Sequence, residues 1–312
     1  MTAVVLGGSG FLGSHLCDAL LARGHDVIAV DDLSTGRLQN IDHLKDNKSF
    51  KFIQADISLE LPDLGTPELI LNFASPASPP AYLSMPIHTL RTGSLGTMHA
   101  LELASKTNAR FIMASTSEIY GDPLEHPQTE SYWGNVNPIG VRSCYDEAKR
   151  FAESLTFAYQ RERGTNTGIV RIFNTYGPRL DPKDGRVVSN FIMAAINDRP
   201  LNIYGDGSQT RSLCYVSDLV DGILRLADSD LSGPINLGNP YEMTILQLAQ
   251  RIIDLTNSKS AISFKAALSD DPQQRNPDIA LAKNELDWLP RTTLDTGLQS
   301  TIHWMATMEK NK

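Results

Sequence analysis

Two short segments carry the residues best suited to chemistry: Ser115-Thr116-Ser117-Glu118 and Tyr145-Asp146-Glu147-Ala148-Lys149. In the second, a phenol and an ammonium stand at i and i+4, on one face of a helix. A cation beside a tyrosine favours the phenolate and draws its pKa towards working pH. A tyrosine tuned in this way serves as general base, taking the proton from a sugar hydroxyl. The Thr116 hydroxyl is placed to hold the same oxygen. Glu118 adds an acid/base group that alcohol oxidation does not by itself require, so the set points beyond simple oxidation. An isolated Tyr-x-x-x-Lys is as readily a packed tyrosine and a solvated lysine. Its weight here comes from the start of the chain.

Gly7-Gly8-Ser9-Gly10-Phe11-Leu12-Gly13 follows the apolar run Ala3-Val4-Val5-Leu6 and opens a helical pattern. Such glycines let the backbone turn sharply and admit a pyrophosphate to the amides and positive dipole end of a helix. The next strand-like run ends in Asp31-Asp32. A carboxylate there accepts from adenosine ribose hydroxyls and repels a 2′-phosphate, so NAD is expected over NADP, with Arg37 the one nearby feature against that preference. Asp56 is a candidate for the adenine amino group and equally a strand-end turn carboxylate.

These groups need a frame. Strand patterns at 2–6, 27–30, 50–54, 69–73, 110–114 and 168–173 alternate with helix patterns at 11–23, 90–106 and 143–163. This βαβ alternation predicts an α/β, doubly wound, mostly parallel sheet, the Rossmann fold. After Tyr176-Gly177-Pro178, loops rich in Gly, Pro and Asp enclose helices near 187–197, 216–228 and 244–257, with short strands at 201–204 and 235–237. The expected division is a dinucleotide-binding domain over 1–178, rejoined by segments near 212–238, and a smaller C-terminal lobe over 179–312.

Composition narrows the class. The 312 residues are 41% hydrophobic and 21% charged, an ordinary globular balance. A net charge of −8 argues against nucleic acid or an anionic membrane as the main partner. Cys17, Cys144 and Cys214 are widely spaced, which fits buried thiols in a reducing compartment. No secretion signal and no run of membrane-spanning length is read, so a soluble cytoplasmic protein is expected. Trp133, Trp288 and Trp304 are read as packing residues. The seven histidines are read as structural or surface groups, with no metal constellation.

Together the glycine motif, Asp31, Thr116, Tyr145 and Lys149 resemble the extended short-chain dehydrogenase/reductase family of nucleotide-sugar modifiers. Longer runs resemble its UDP-glucuronate decarboxylase branch: Ser115 to Pro127, Tyr132 to Pro138, Arg142 to Arg150, Arg171 to Arg179, Asp184 to Phe191, Tyr204 to Ser212, and Asp270-Asp271-Pro272 through Arg275 to Asp278. The family usually has Thr at Leu6 and often Asn at Gly93 and Asp32, departures that bear on details of cofactor hydrogen bonding.

The resemblance implies a redox-neutral conversion of UDP-glucuronate to UDP-xylose and CO₂ with tightly held NAD. Tyr145, lowered by Lys149, takes the C4 hydroxyl proton as hydride passes to NAD⁺. The β-keto acid loses CO₂, C5 is protonated, and the hydride returns to C4. Thr116 holds the C4 oxygen, and Ser117 and Glu118 lie near C5 and the carboxylate. Ser117 stands where 4,6-dehydratases carry the Asp that expels water, which disfavours dehydration. The competing readings are a 4-epimerase, a 4,6-dehydratase, or a non-catalytic NAD-binding regulator. The last sits poorly with intact Thr116, Tyr145 and Lys149.

The resemblance also adds Phe11, Leu12, Ser34, Thr35, Gly36, Ile57 and Ala74 to the cofactor contacts, beside Gly7, Gly10, Gly13, Asp31, Asp32, Asp56, Tyr145 and Lys149. It makes 179–312 mainly a nucleotide-sugar-binding lobe. There Asn174 approaches the sugar–diphosphate, Val188 and Tyr204 the uridine, and Gln209 the ribose. A diphosphate needs cations in so acidic a chain, and the forked donors of Arg179, Arg211 and Arg275 suit phosphate oxygens. Arg275 is also implied to attract the leaving carboxylate. Finally, it implies a homodimer in which 90–106 and 143–163 form a four-helix bundle across a twofold axis.

Overall fold

The run Ala3-Val4-Val5-Leu6 is fully buried, and it is strand β1 (Thr2–Leu6) at the centre of a sheet in the computed structural model. Residues 1–266 and 274–310 are described; Asp270-Asp271-Pro272, part of the run leading to Arg275, lies outside them. The chain forms two compact units. One comprises Met1–Ile119, Val136–Ile172 and Val220–Ile235, and the other Tyr120–Asn135, Phe173–Leu219 and Asn236–Lys312.

In the first unit, β1 is joined by β2 (Asp26–Asp31), β3 (Phe50–Gln54), β4 (Leu69–Asn72), β5 (Arg110–Thr116) and β6 (Thr167–Ile172). They pair in parallel in the order β6-β5-β4-β1-β2-β3, and Ile235–Leu237 lies beside β6 as the seventh strand. All residues of β4 and β5 are buried, as expected of parallel strands covered on both faces. The order reverses between β1 and β4, which puts a crevice at their carboxyl ends.

The helices of this unit are α1 (Phe11–Ala22), α2 (Pro79–Ser84), α3 (Pro86–Arg91), α4 (Thr97–Thr107) and α5 (Ser143–Arg163). Proline opens α2 and α3, where a missing N–H costs nothing. Asn108 and Gly164 end α4 and α5 in the left-handed region. The single helix expected at 90–106 is instead composite: α3, a π turn at Thr92–Gly96, then α4. Close packing accounts for the local sequence. A Cβ on Gly93 would lie 2.7 Å from that of Ala148 on α5, and glycine leaves that space open. Widened turns of this kind recur beside functional sites.

The second unit is built from short pairings. Leu201–Tyr204 runs parallel to Ile262–Lys265, Thr210–Ser212 antiparallel to Glu242–Thr244, and Thr175–Tyr176 parallel to Cys214–Tyr215. Tyr120–Asn135 is held here by Asn236, whose Oδ1 accepts from Tyr120 Oη at 2.8 Å and whose Nδ2 donates to the Gln128 carbonyl at 3.0 Å. Trp288 packs as read, with its indole donating to the Asp218 carbonyl. Trp133 does not: it is 88% exposed, because its neighbour Tyr132 is the ring that stacks on Tyr120. Among the described residues, no helix is long and apolar enough to cross a membrane.

Arg110 joins the return segment to the sheet. Its guanidinium donates to Asn166 Oδ1 and to the carbonyls of Thr167, Leu226 and Leu231, at 2.6 to 3.0 Å. Burial holds its pKa below the ordinary arginine value. Arg110→Met removes these donors and leaves buried carbonyls unsatisfied, so a loss of about 2–4 kcal/mol in urea denaturation is expected. Unchanged stability would show the carbonyls to be otherwise served.

Candidate active site

Thr116 ends β5, and a tight turn, Ser117–Tyr120, carries Ser117 and Glu118 from the carboxyl edge of the sheet. Tyr145 and Lys149 lie in the first turns of α5, both 6% exposed. Three contacts join helix to strand end. Lys149 Nζ donates to the Ala114 carbonyl at 2.8 Å, Arg150 to the Ile119 carbonyl at 3.0 Å, and Arg142 forms an ion pair with Glu118. The Glu118 amide donates to Thr116 Oγ1 at 3.2 Å. Thr116, Ser117, Glu118, Tyr145 and Lys149 are therefore gathered at one sheet edge.

Lys149 Nζ lies 5.9 Å from the centre of the Tyr145 ring, and burial lowers its pKa to about 8. Two residues that the sequence does not single out complete this group. Tyr82, from α2, stacks on Tyr145 at 5.1 Å and 8°, and its buried hydroxyl has no hydrogen-bond partner. Burial alone would lower the Arg142 pKa, but Glu118, followed by Tyr82 and Asp146, carries it upward. Arg142 was legible only as one motif letter, three residues before Tyr145. Tyr82 had no local signal, since stacking is a tertiary event.

The crevice beside β1 opens as a pocket. Gly7 and Gly10 line it, with Asp31 and Asp32 after β2, Asp56 and Ile57 after β3, and Ala74 after β4. Ser34 and Thr35 also reach it, whereas Phe11, Leu12, Gly13 and Gly36 are not on its wall. A Cβ on Gly13 would sit 2.0 Å from the Gly7 carbonyl oxygen, so only glycine lets α1 begin this close to the loop. The first turn of α1 contains no acidic residue and Gly10 offers no side-chain cap, which leaves its amides for an anion. This cradle fits a dinucleotide pyrophosphate. Asp31 is turned partly inward, accepting from the Ser9 amide at 3.0 Å and the Leu33 amide at 2.9 Å, while burial raises its pKa.

His88 corrects the sequence reading of the histidines. It lines the cavity, with Nε2 3.0 Å from Asp32 and Nδ1 3.9 Å from Asp56. These three residues bring possible ligand atoms within 4.8 Å of one another. All three line the same pocket as Gly7 and Gly10.

The residues expected to meet a nucleotide sugar lie in the second unit. Gln209 donates to the Tyr204 carbonyl at 2.6 Å, and Tyr204 is 44% exposed. Arg211 lies on the strand Thr210–Ser212, and Ser212 Oγ donates to the Arg275 carbonyl at 3.1 Å. Arg275 is 3% exposed and donates to the Gly121 carbonyl at 3.1 Å. The Asn174 carbonyl accepts from the Cys214 amide. Arg179 holds a φ of 69°, and Val188 is buried in the helix Val187–Ala195 without a polar role visible here.

The family model for the NAD dependent epimerase/dehydratase family matches residues 3–238. The chain belongs to this family. A UDP-glucuronic acid decarboxylase 1 of Arabidopsis thaliana is 52% identical over 299 residues, covering 96% of this chain and 68% of that protein. Among solved structures, a UDP-glucose 4-epimerase of Thermotoga maritima superposes with a TM-score of 0.91 at 29% identity, covering 99% of this chain and all of that one. A Bacillus cereus UDP-glucuronic acid 4-epimerase, in complex with UDP-glucuronic acid and NAD, gives 0.89 at 26% identity, again over 99% of this chain and 100% of that one. The protein is an NAD-dependent member with a Rossmann fold.

Lys149 makes the site costly to fold. Its folded pKa lies below the ordinary lysine value, so the charge penalty is full below about pH 8 and fades as pH rises towards the ordinary value of 10.5. That difference corresponds to about 3 kcal/mol, offset by about 1 for the Ala114 hydrogen bond. In the NAD-free protein at pH 7, Lys149→Met is expected to raise stability by about 2 kcal/mol while activity is lost. The gain should shrink above pH 8. A gain over wild type no larger at pH 7 than at pH 10 would refute this account.

Proposed function

We propose that this protein decarboxylates UDP-glucuronate to UDP-xylose. The observation that carries the reading is 52% identity to a UDP-glucuronic acid decarboxylase across 96% of the chain, against 29% or less for the epimerases that share its fold. Bound NAD⁺ supplies the acceptor, and later the donor, of the C4 hydride. Tyr145 takes the C4 hydroxyl proton, and the Lys149 ammonium favours the resulting phenolate. Thr116 holds the reacting oxygen. Glu118, oriented by Arg142, manages the proton at C5, and Ser117 offers no acid to expel water. Asn174, Arg179, Arg211 and Arg275 take the diphosphate and carboxylate, and Val188, Tyr204 and Gln209 the uridine.

Incubation with UDP-glucuronate should yield a product lighter by the mass of CO₂, with no net NADH. An unchanged mass with an altered sugar would establish epimerisation instead. Tyr145→Phe is expected to lower turnover at least 10²–10⁴-fold while NAD stays bound. Surviving activity would show the base to be another residue.

We also infer a homodimer formed through α3, α4, the π turn and α5 as a four-helix bundle. Ile87 is 73% exposed, Leu90 42%, Leu95 37% and Phe151 50%, an apolar set spread over three of these neighbouring elements. Phe151→Glu should halve the mass measured by light scattering, and a retained dimer mass would place the interface elsewhere. Cytoplasmic residence agrees with three free, buried cysteines.

A further inference from the structure

The face of α5 that carries Tyr145 and Lys149 continues to a third charged residue, Glu153, four positions beyond Lys149. Glu153 is 8% exposed. Its Oε1 accepts from Ser115 Oγ at 2.5 Å and from Arg171 Nε at 2.9 Å, and its Oε2 accepts from Arg171 Nη2 at 2.8 Å. Arg171, on β6, is 8% exposed and Ser115, on β5, is 3% exposed. The fork is bidentate and satisfied on both sides. Stability alone does not explain it, because an apolar pair of similar volume commonly serves a core as well or better.

Its attachment points are informative. Lys149 is bonded to the carbonyl of Ala114, and Glu153 to the side chain of Ser115. Two successive turns of α5 are thus tied to two successive residues of the strand that ends in Thr116. The ties fix both the height and the rotation of the helix. We propose that Glu153 and Arg171 are a positioning pair that aligns Tyr145 and Lys149 with Thr116 and balances the charge felt by the Tyr145–Lys149 couple. The inference rests on Tyr145 as the base of the proposed reaction.

Charge decides how the pair can be tested. Arg171 and Ser115 bond Glu153, and Lys149 stands one helical turn before it on α5. Tyr82 from α2, Glu118 from the turn after β5, and Arg142, Cys144 and Asp146 beside it in sequence surround Tyr145, and all stay in place in the variants. Glu153→Gln leaves the Arg171 cation unopposed near Lys149, which favours the first proton loss from the couple. Arg171→Gln leaves the Glu153 anion unopposed and disfavours it.

The acid limb of kcat against pH should therefore move down with Glu153→Gln and up with Arg171→Gln, each by about one pH unit for charges ~10 Å apart at an effective dielectric of ~20. It should return to the wild-type position in the double variant. Ser115→Ala keeps both charges and should lower kcat about tenfold through lost alignment, with KM and the limb unchanged. Ultraviolet titration of tyrosinate, with Tyr145→Phe as the blank, should show the same opposed shifts without turnover. That readout separates this inference from the reaction assignment, which fails on its own if the wild type does not convert UDP-glucuronate. Variants that lose thermal stability while both the kinetic limb and the tyrosinate titration stay in place would reduce the pair to packing. So would a Ser115→Ala enzyme with wild-type kcat.

Discussion

The Lys149 ammonium is almost fully withdrawn from water and rests on the Ala114 carbonyl at 2.8 Å, an arrangement that burial makes expensive. It holds only if α5 keeps a fixed height and rotation against β5, and much of the surrounding sequence serves that requirement. Gly93 lets the helical segment from Pro86 to Thr107 press against Ala148. Arg142 and Arg150 tie the start of α5 to the turn after β5. Glu153, Ser115 and Arg171 tie its next turns to β5 and β6. A buried cation is poor material for a stable core, so its retention beside a stacked tyrosine is explained by what it does to that tyrosine.

A second constraint is charge. A chain of net charge −8 that is to hold two diphosphate-bearing ligands cannot rely on its overall field. For the cofactor it uses backbone: free amides at the start of α1, admitted by a loop whose glycines leave room for close approach. Beside that cradle stand carboxylates, and His88 sits against Asp32 and Asp56 in a small space. In the second unit, the arginines proposed to meet the nucleotide sugar are anchored by backbone. Arg275 and Arg211 each donate to a carbonyl, which orients a guanidinium at little entropic cost.

Periodicity and spacing made part of this legible. The helix at 143–163 was readable at both ends because a polar first turn and Gly164 bound it, and its Tyr145–Lys149 face follows from helical geometry alone. The strands were readable as apolar runs between glycine-rich turns. The π turn at Thr92–Gly96 was not, and its Gly93 meets Ala148 on another helix, a contact that local sequence does not reveal. Tyr82, His88 and the Arg142–Glu118 pair were hidden for the same reason: each acts on a residue distant in sequence. Trp133 misled because indole size argues for burial, while Tyr132 takes the inward position.

The fold does not choose the reaction. Chains superposing at TM-scores of 0.91 and 0.89 include 4-epimerases, one of them in complex with UDP-glucuronic acid and NAD. What separates the outcomes is the environment of the keto acid once formed. A decarboxylase must leave the C5 carboxylate free to depart and then deliver one proton to the carbon left behind. On the proposed reading, Glu118 is a suitable group because Arg142 orients it at the end of β5. An epimerase needs the opposite: a carboxylate held in place while the sugar turns over against the same hydride face. On the proposed reading, the turn Ser117–Tyr120 is where the family's shared chemistry divides. On that reading, a change of one side chain there alters the product without altering the sheet that presents it.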